Sequence, residues 1–408
     1  MNITSKEAFF HYFGYTSALP ASSPAVRYTC PGHPEPFVLI KPGLQALDRP
    51  NANDVGLVSG LTIQNDDPRI HYHGRWDDSP GTWWAGSGFK LHVQNAKTMK
   101  IRLGSLTTSP FAALGVSVNY EPFFTVNASA GWNDIPLPAA PRFKRSDKSV
   151  IRLNVEGWQN NRINLETIVF NRGAQLLPYK PSKLSFQFIG DSLSAGQYLP
   201  LGVDQAWPFL VGENFKAEHT INAQPGATLT DIPSYGNVHG VSFQFFKTED
   251  TGYVWTSDHN YTTPWDFRRD RPSPTLSFIS GMLKLANDVS QGVTPDQFVQ
   301  EYLDFLKRLR TIYRTQSIFV FTPWGWPSAD GNVWYYYDGK YEEIVRKQTA
   351  LGDSRIFLVN TTGWVTFDDV FADNQHPNVP GHVKIANLFS EWLRDWGLRP
   401  ERQWATLA

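Results

Sequence analysis

The sequence predicts an all-β sandwich of jelly-roll type followed by a mainly parallel, three-layer α/β domain. Three observations carry this expectation. Short runs of alternating hydrophobicity, punctuated by glycine and proline, fill the stretch from about Leu57 to Tyr179. Beyond Pro178-Tyr179-Lys180-Pro181 the pattern changes to buried strands separated by helical stripes. The 408 residues also exceed what one ordinary core organises, so two domains are expected.

The first 55 residues hold several prolines and little periodicity, and read as a lead-in segment, 1–55. The β domain, 56–180, draws strands from Phe89 to Val93, Met99 to Leu103 and Val150 to Val155, with turns at Ser79-Pro80-Gly81, Gly86-Ser87-Gly88 and Asn171-Arg172-Gly173. The α/β domain, 181–408, opens with the apolar run Leu184 to Ile189, which ends at Gly190. Ser317 to Phe321 and Ile356 to Val359 supply two more short strands. Between strands, Pro295 to Tyr313 places Phe298, Tyr302, Phe305, Leu309 and Tyr313 on one helical face. Pro380 opens the last helix, whose inner face reads as Val383, Ala386, Phe389, Leu393 and Trp396, with Gly397 as its stop.

Composition narrows the function classes. A net charge of -1 offers no basic field for nucleic acid, and no apolar run approaches the ~18 residues of a membrane span. Cys30 is the only cysteine, so neither an intrachain disulfide nor a multi-thiolate metal site is possible. Met1 to Pro20 does not read as a signal peptide. Sequons at Asn2, Asn127, Asn260 and Asn360 suit a secreted protein, with any signal already removed, and a cytoplasmic location stays open. The many Trp, Tyr and Phe residues suit a large β core, and exposed ones suit sugar stacking.

Two motifs carry chemistry. Gly190-Asp191-Ser192-Leu193-Ser194-Ala195-Gly196 directly follows a buried strand, at the turn where α/β sheets bind ligands. A capping serine in an ordinary turn would look the same. The second motif, Asp373-Asn374-Gln375-His376-Pro377, precedes the last helix. Histidine is the usual base for a serine hydroxyl, and a carboxylate nearby would hold its tautomer.

Together these residues resemble the SGNH/GDSL hydrolase family, from Leu184 to about Trp396. Gly190 to Gly196 is similar to its first block, and Asp373, His376, Pro377 and Gly381-His382 to its last. Asn222-Ala223-Gln224-Pro225-Gly226 resembles the second block, and Leu285-Ala286-Asn287-Asp288 the third, with Leu285 and Ala286 in place of its Gly-Thr. The resemblance implies a flavodoxin-like α/β fold, Ser192 as nucleophile, His376 as base and Asp373 as its orienting carboxylate. It implies an oxyanion hole from the Ser192 and Gly226 N–H groups and the Asn287 amide, and no metal or organic cofactor. Asp368 and Asp369 compete for the role of Asp373, while Asp191 and Asp288 read as structural. His71 and His73 could chelate a metal, but a plain strand face accounts for them.

Gly74-Arg75-Trp76 and Trp83 to Phe89 resemble the jelly-roll front domain of carbohydrate esterase family two, which precedes an SGNH domain. This implies a secreted acetylesterase acting on acetylated carbohydrate or another small ester. A front domain that only buttresses the catalytic domain is the alternative. Aromatic runs within Pro233 to Pro274 and from Trp324 to Tyr337 follow strand ends and suit cleft walls, for sugar, acyl or aryl groups alike. A short-chain lipase or aryl esterase is the alternative enzyme, and a carbohydrate-binding protein with an idle hydrolase fold the alternative outside enzymes.

Overall fold

The computed structural model describes residues 60–138, 147–157, 161–249, 263–279 and 286–407. The lead-in segment, Cys30, Asn2, Asn260, Leu285 and the insertion aromatics Tyr253, Trp255 and Tyr261 lie outside the described residues. Residues Val58–Ala408 make one compact unit.

Its first part consists of β1 (Leu61–Gln64), β2 (His71–His73), β3 (Gly81–Thr82), β4 (Gly88–Gln94), β5 (Met99–Leu103), β6 (Ala112–Val118), β7 (Phe124–Ala128), β8 (Gly131–Ile135), β9 (Lys148–Val155), β10 (Ile163–Phe170) and β11 (Gln175–Leu177). They pair antiparallel into two sheets, ordered β1-β10-β5-β8 with β3 on β10, and β11-β4-β9-β6-β7 with β2 on β4. Alternation makes one face of each sheet apolar. In β5, Met99, Ile101 and Leu103 are buried while Lys100 and Arg102 reach outward. Those inward residues meet Phe89, Leu91, Leu114 and Ile151 of the other sheet in one core, so the sheets form a sandwich.

The second part is a parallel sheet of β12 (Ser185–Gly190), β13 (Glu218–Ala223), β14 (Leu276–Ile279), β15 (Ser317–Phe321) and, after the small ribbon of β16 (Trp326–Pro327) and β17 (Val333–Trp334), β18 (Ile356–Val359). Its order, β13-β12-β14-β15-β18, is the flavodoxin-like 2-1-3-4-5 arrangement. Both faces are buried. Phe186, Phe188, Phe278, Phe319 and Phe321 point to one core, and Ile189, Ile279, Ile318 and Val320 to the other. The helices are α1 (Ser192–Ala195), α2 (Trp207–Phe215), α3 (Val241–Gln244), α4 (Ala286–Ser290), α5 (Pro295–Ile312), α6 (Lys340–Ala350) and α7 (Val379–Asp395). Residues of α2 and α7 cover the first core and those of α5 and α6 the second. The stripe expected in α5 is buried, and Thr294 and Gln297 cap its start reciprocally around Pro295.

The last helix corrects the sequence reading. Val383 is 44% exposed and Trp396 37% exposed, whereas His382, Ile385, Ala386, Phe389, Ser390 and Leu393 are buried. The inner face begins at His382, whose Nδ1 accepts the Trp207 N–H at 3.0 Å. Ala386, Phe389 and Leu393 face the core as the stripe predicted, while buried His382 takes the place of Val383 at its start and Trp396 stays half-exposed at its end.

Sandwich and parallel sheet are fastened by buried charges. Glu218, at the start of β13, accepts from Lys90 and Tyr179, and its carboxylate lies 3.7 Å from His71 Nε2. Burial alone would raise its pKa, but Lys90 and His71 prevail and hold it well below the usual carboxylate range. Its contribution to stability is therefore present above the unfolded pKa of about 4.3 and lost as pH falls through the lower folded value. Glu218→Gln, which strands the Lys90 charge, should cost about 3–5 kcal/mol near neutral pH. Thermal melts should show that the gap to wild type narrows below about pH 4. A gap that stays constant down to pH 2 would refute this linkage.

Candidate active site

All five parallel strands send their carboxyl ends to one edge, and the loops that follow β12, β13, β14, β15 and β18 carry the residues of interest. After β12, Asp191 turns the chain. Its side chain accepts the Leu193 N–H at 3.0 Å, and its carbonyl accepts from Ser194 and Ala195, each at 3.0 Å. These bonds close the single turn of α1 and place Ser192 first in it. Gly196 ends the turn with φ 73, and a Cβ there would fall 2.4 Å from the Gly202 carbonyl oxygen. Asp191 thus serves the turn.

His376 arrives from the loop between β18 and α7. Its Nε2 lies 3.2 Å from Ser192 Oγ, and both residues are 0% exposed. Its Nδ1 lies 3.1 Å from the Asn374 carbonyl oxygen. A carbonyl only accepts, so Nδ1 carries the hydrogen and Nε2 presents its lone pair to the serine hydroxyl. Asn374 also accepts the His376 N–H through Oδ1 at 3.0 Å, so one residue grips both the backbone and the ring. Gln375 takes the left-handed conformation, φ 57, that this tight loop requires. Residue type alone could not reveal a backbone acceptor.

The structure does not join Asp373 to this pair. Its side chain is exposed, and the hydrogen at His376 Nδ1 points to Asn374 instead. Asp369 is committed elsewhere. Burial would raise its pKa, but the Lys384 ion pair at 2.6 Å and the Thr366 hydrogen bonds lower it. Burial pushes His382 down to about 3, which keeps it a neutral acceptor for Trp207.

The second and third blocks meet each other. Asn287 Nδ2 donates to the Ala227 carbonyl at 2.9 Å, which leaves its other amide hydrogen available. Asp288 accepts from the Leu229 and Thr230 N–H groups at 2.7 and 3.1 Å, tying α4 to the loop that holds Gly226. Burial raises the Asp288 pKa, and those backbone bonds oppose the rise. Gly226 has φ 78, and a Cβ there would fall 2.7 Å from Tyr235 Cβ, so conformation and space both demand glycine. Among the described residues, neither the Ser192 nor the Gly226 N–H is taken by another protein group.

Two aromatics flank the base. The Tyr198 ring centroid is 4.7 Å from that of His376 in an edge arrangement, and the Trp326 ring is 6.2 Å away. Tyr198 was not among the residues the sequence pointed to. His71 and His73 sit instead at the sandwich junction, with His73 Nε2 3.0 Å from Asn154 Oδ1 and His71 stacked on Tyr179. Among the described residues no group of three or more His, Cys, Asp or Glu side chains gathers to hold a metal ion. Nor is any described helix long and apolar enough to cross a membrane.

No family model matches the sequence, and no curated protein matches it. Solved structures do match. The chain is similar to a family two carbohydrate esterase from Cellvibrio japonicus, at 16% identity over 83% of this chain and 98% of that one, with a TM-score of 0.63. An acetyl xylan esterase from the rumen bacterium Butyrivibrio proteoclasticus matches at 14% identity over 82% and 99%, TM-score 0.62. A salicylyl-acyltransferase from a tetracycline biosynthetic pathway matches at 14% identity over 84% and 99%, TM-score 0.58. The chain has the fold that these proteins share.

Proposed function

We propose that this chain is a serine esterase that removes O-acetyl groups from carbohydrate through an acyl-enzyme. The observation that carries the reading is the 3.2 Å approach of His376 Nε2 to Ser192 Oγ, with the tautomer set by the Asn374 carbonyl. Ser192 Oγ attacks the ester carbon while its proton passes to Nε2. The oxyanion is met by the Ser192 and Gly226 N–H groups and the Asn287 amide. The proton then goes from Nε2 to the departing sugar hydroxyl. Water repeats the cycle on the acyl-enzyme and releases acetate and free Ser192. Asn374 takes over the orienting role that the sequence assigned to Asp373. Residues 56–180 act as a β-sandwich domain that supports the catalytic domain 181–408, and a polymeric substrate places the protein outside the cell.

Acetyl and carbohydrate specificity rest on the shared fold with carbohydrate esterases and on the aromatic walls at Tyr198 and Trp326. Rejection of each added methylene by a tight acyl pocket is worth about 1–3 kcal/mol. kcat/KM for nitrophenyl esters should therefore fall clearly from acetate to butyrate, and by orders of magnitude at octanoate. Acetylated xylan should likewise be preferred to tributyrin. If octanoate is the best substrate, the acetyl reading gives way to a lipase or aryl esterase with the same serine chemistry.

A further inference from the structure

We propose that the β16–β17 ribbon carries an outer sugar platform, Trp334, which holds a second residue of the glycan beside the one whose ester reaches Ser192. This rests on the carbohydrate reading above. The ribbon is built outward from the core. Trp324, 2% exposed, roots it against Trp207 at 6.4 Å between ring centroids. Gly325, φ 84, then bends the chain, and a Cβ there would fall 2.4 Å from Val333 Cγ1 and 2.9 Å from the Tyr335 ring. Next comes Trp326, whose ring neighbours His376. Trp334 is its direct partner across the ribbon. Directly opposed residues point to the same face of a ribbon with Cβ atoms about 5 Å apart, so Trp334 stands on the face that Trp326 occupies near His376.

Trp334 is 66% exposed, more than any other large aromatic among the described residues. The turn behind it is pinned: Asp330 accepts from the Asn332 N–H at 3.0 Å, the Asn332 amide at 2.6 Å and the Ser328 hydroxyl. A built turn therefore holds this ring in water. Its surroundings choose the occupant. Asp330, Asn332, Asp338 and Gly339, close to it in sequence, are exposed, so Trp334 and the less exposed Tyr335 ring after it make a small apolar patch among polar residues. A protein partner would need roughly 800 Å² of contact surface per side, more than these two rings among polar residues offer. A pyranose needs just such a patch for its C–H face and polar neighbours for its hydroxyls.

The test uses a catalytically idle background, Ser192→Ala, titrated calorimetrically with xylo- and cello-oligosaccharides of one to six residues. Adding Trp334→Ala should weaken binding of the longer oligosaccharides about tenfold, while single sugars bind as before. Trp334→Phe should restore much of the loss, since a smaller ring still stacks. A loss equal at all lengths, or none at any length, overturns the platform. Failure of every oligosaccharide to bind overturns it together with the carbohydrate reading. Ser192-dependent hydrolysis of nitrophenyl acetate would then leave only the esterase standing.

Discussion

Replacing Ser192 or His376 with alanine is expected to lower kcat for nitrophenyl acetate by roughly 10⁴- to 10⁶-fold, with the fold retained. The two side chains meet across 184 residues of sequence in a fully buried contact, so each depends on the other for its chemistry. Serine alone is a poor nucleophile at neutral pH, and the imidazole alone has nothing to deliver. The double variant should therefore be little worse than either single one, because the pair acts as a unit. Asp373→Ala makes the sharper contrast. An exposed carboxylate away from the ring should change activity by no more than about two- to threefold, the scale of an ordinary surface substitution. Asn374→Ala should fall between, since it removes the side-chain grip on the His376 N–H but keeps the carbonyl at Nδ1. Steady-state kinetics on the five variants decide the matter. Wild-type turnover in Ser192→Ala would end the serine mechanism, and a 10⁴-fold loss in Asp373→Ala would return the orienting role to that carboxylate.

Much of this arrangement was legible in the chain because it depends on residue type and spacing. Alternation located β5, and the spacing of three and four located α5. The Ser192 and His376 motifs stood out because each follows a strand or precedes a helix at the ligand-binding edge. What escaped the sequence is what residue type does not encode. The acceptor at His376 Nδ1 is a backbone carbonyl, which any residue at position 374 would offer. The inner face of α7 starts at His382 and not at Val383, because His382 is buried for a hydrogen bond to Trp207, not for apolarity. Tyr198 reaches the base because a left-handed backbone, φ 72, follows Gly196, and no side-chain pattern signals that turn.

The altered third block makes Asn287 the informative test of the oxyanion hole. Leu285 and Ala286 stand where the related motif has Gly-Thr, yet Asn287 is buried and fixed by Ala227, one residue beyond Gly226. One amide hydrogen is spent on that bond, and the other suits the oxygen that gains charge as Ser192 attacks. Asn287→Ala should then lower kcat by about 10²- to 10³-fold and leave KM nearly unchanged, because the lost bond strengthens only in the transition state. Some stability must go too. Leaving the Ala227 carbonyl buried and unpaired costs about 1–3 kcal/mol, visible as a lower Tm. The Asp288 bonds to Leu229 and Thr230 remain to hold the loop, so a folded variant is expected. A lower Tm with unchanged kcat would show that Asn287 braces the Gly226 loop and donates nothing to the oxyanion. A fall in kcat with unaltered KM, measured well below the variant's Tm, assigns it the donor role.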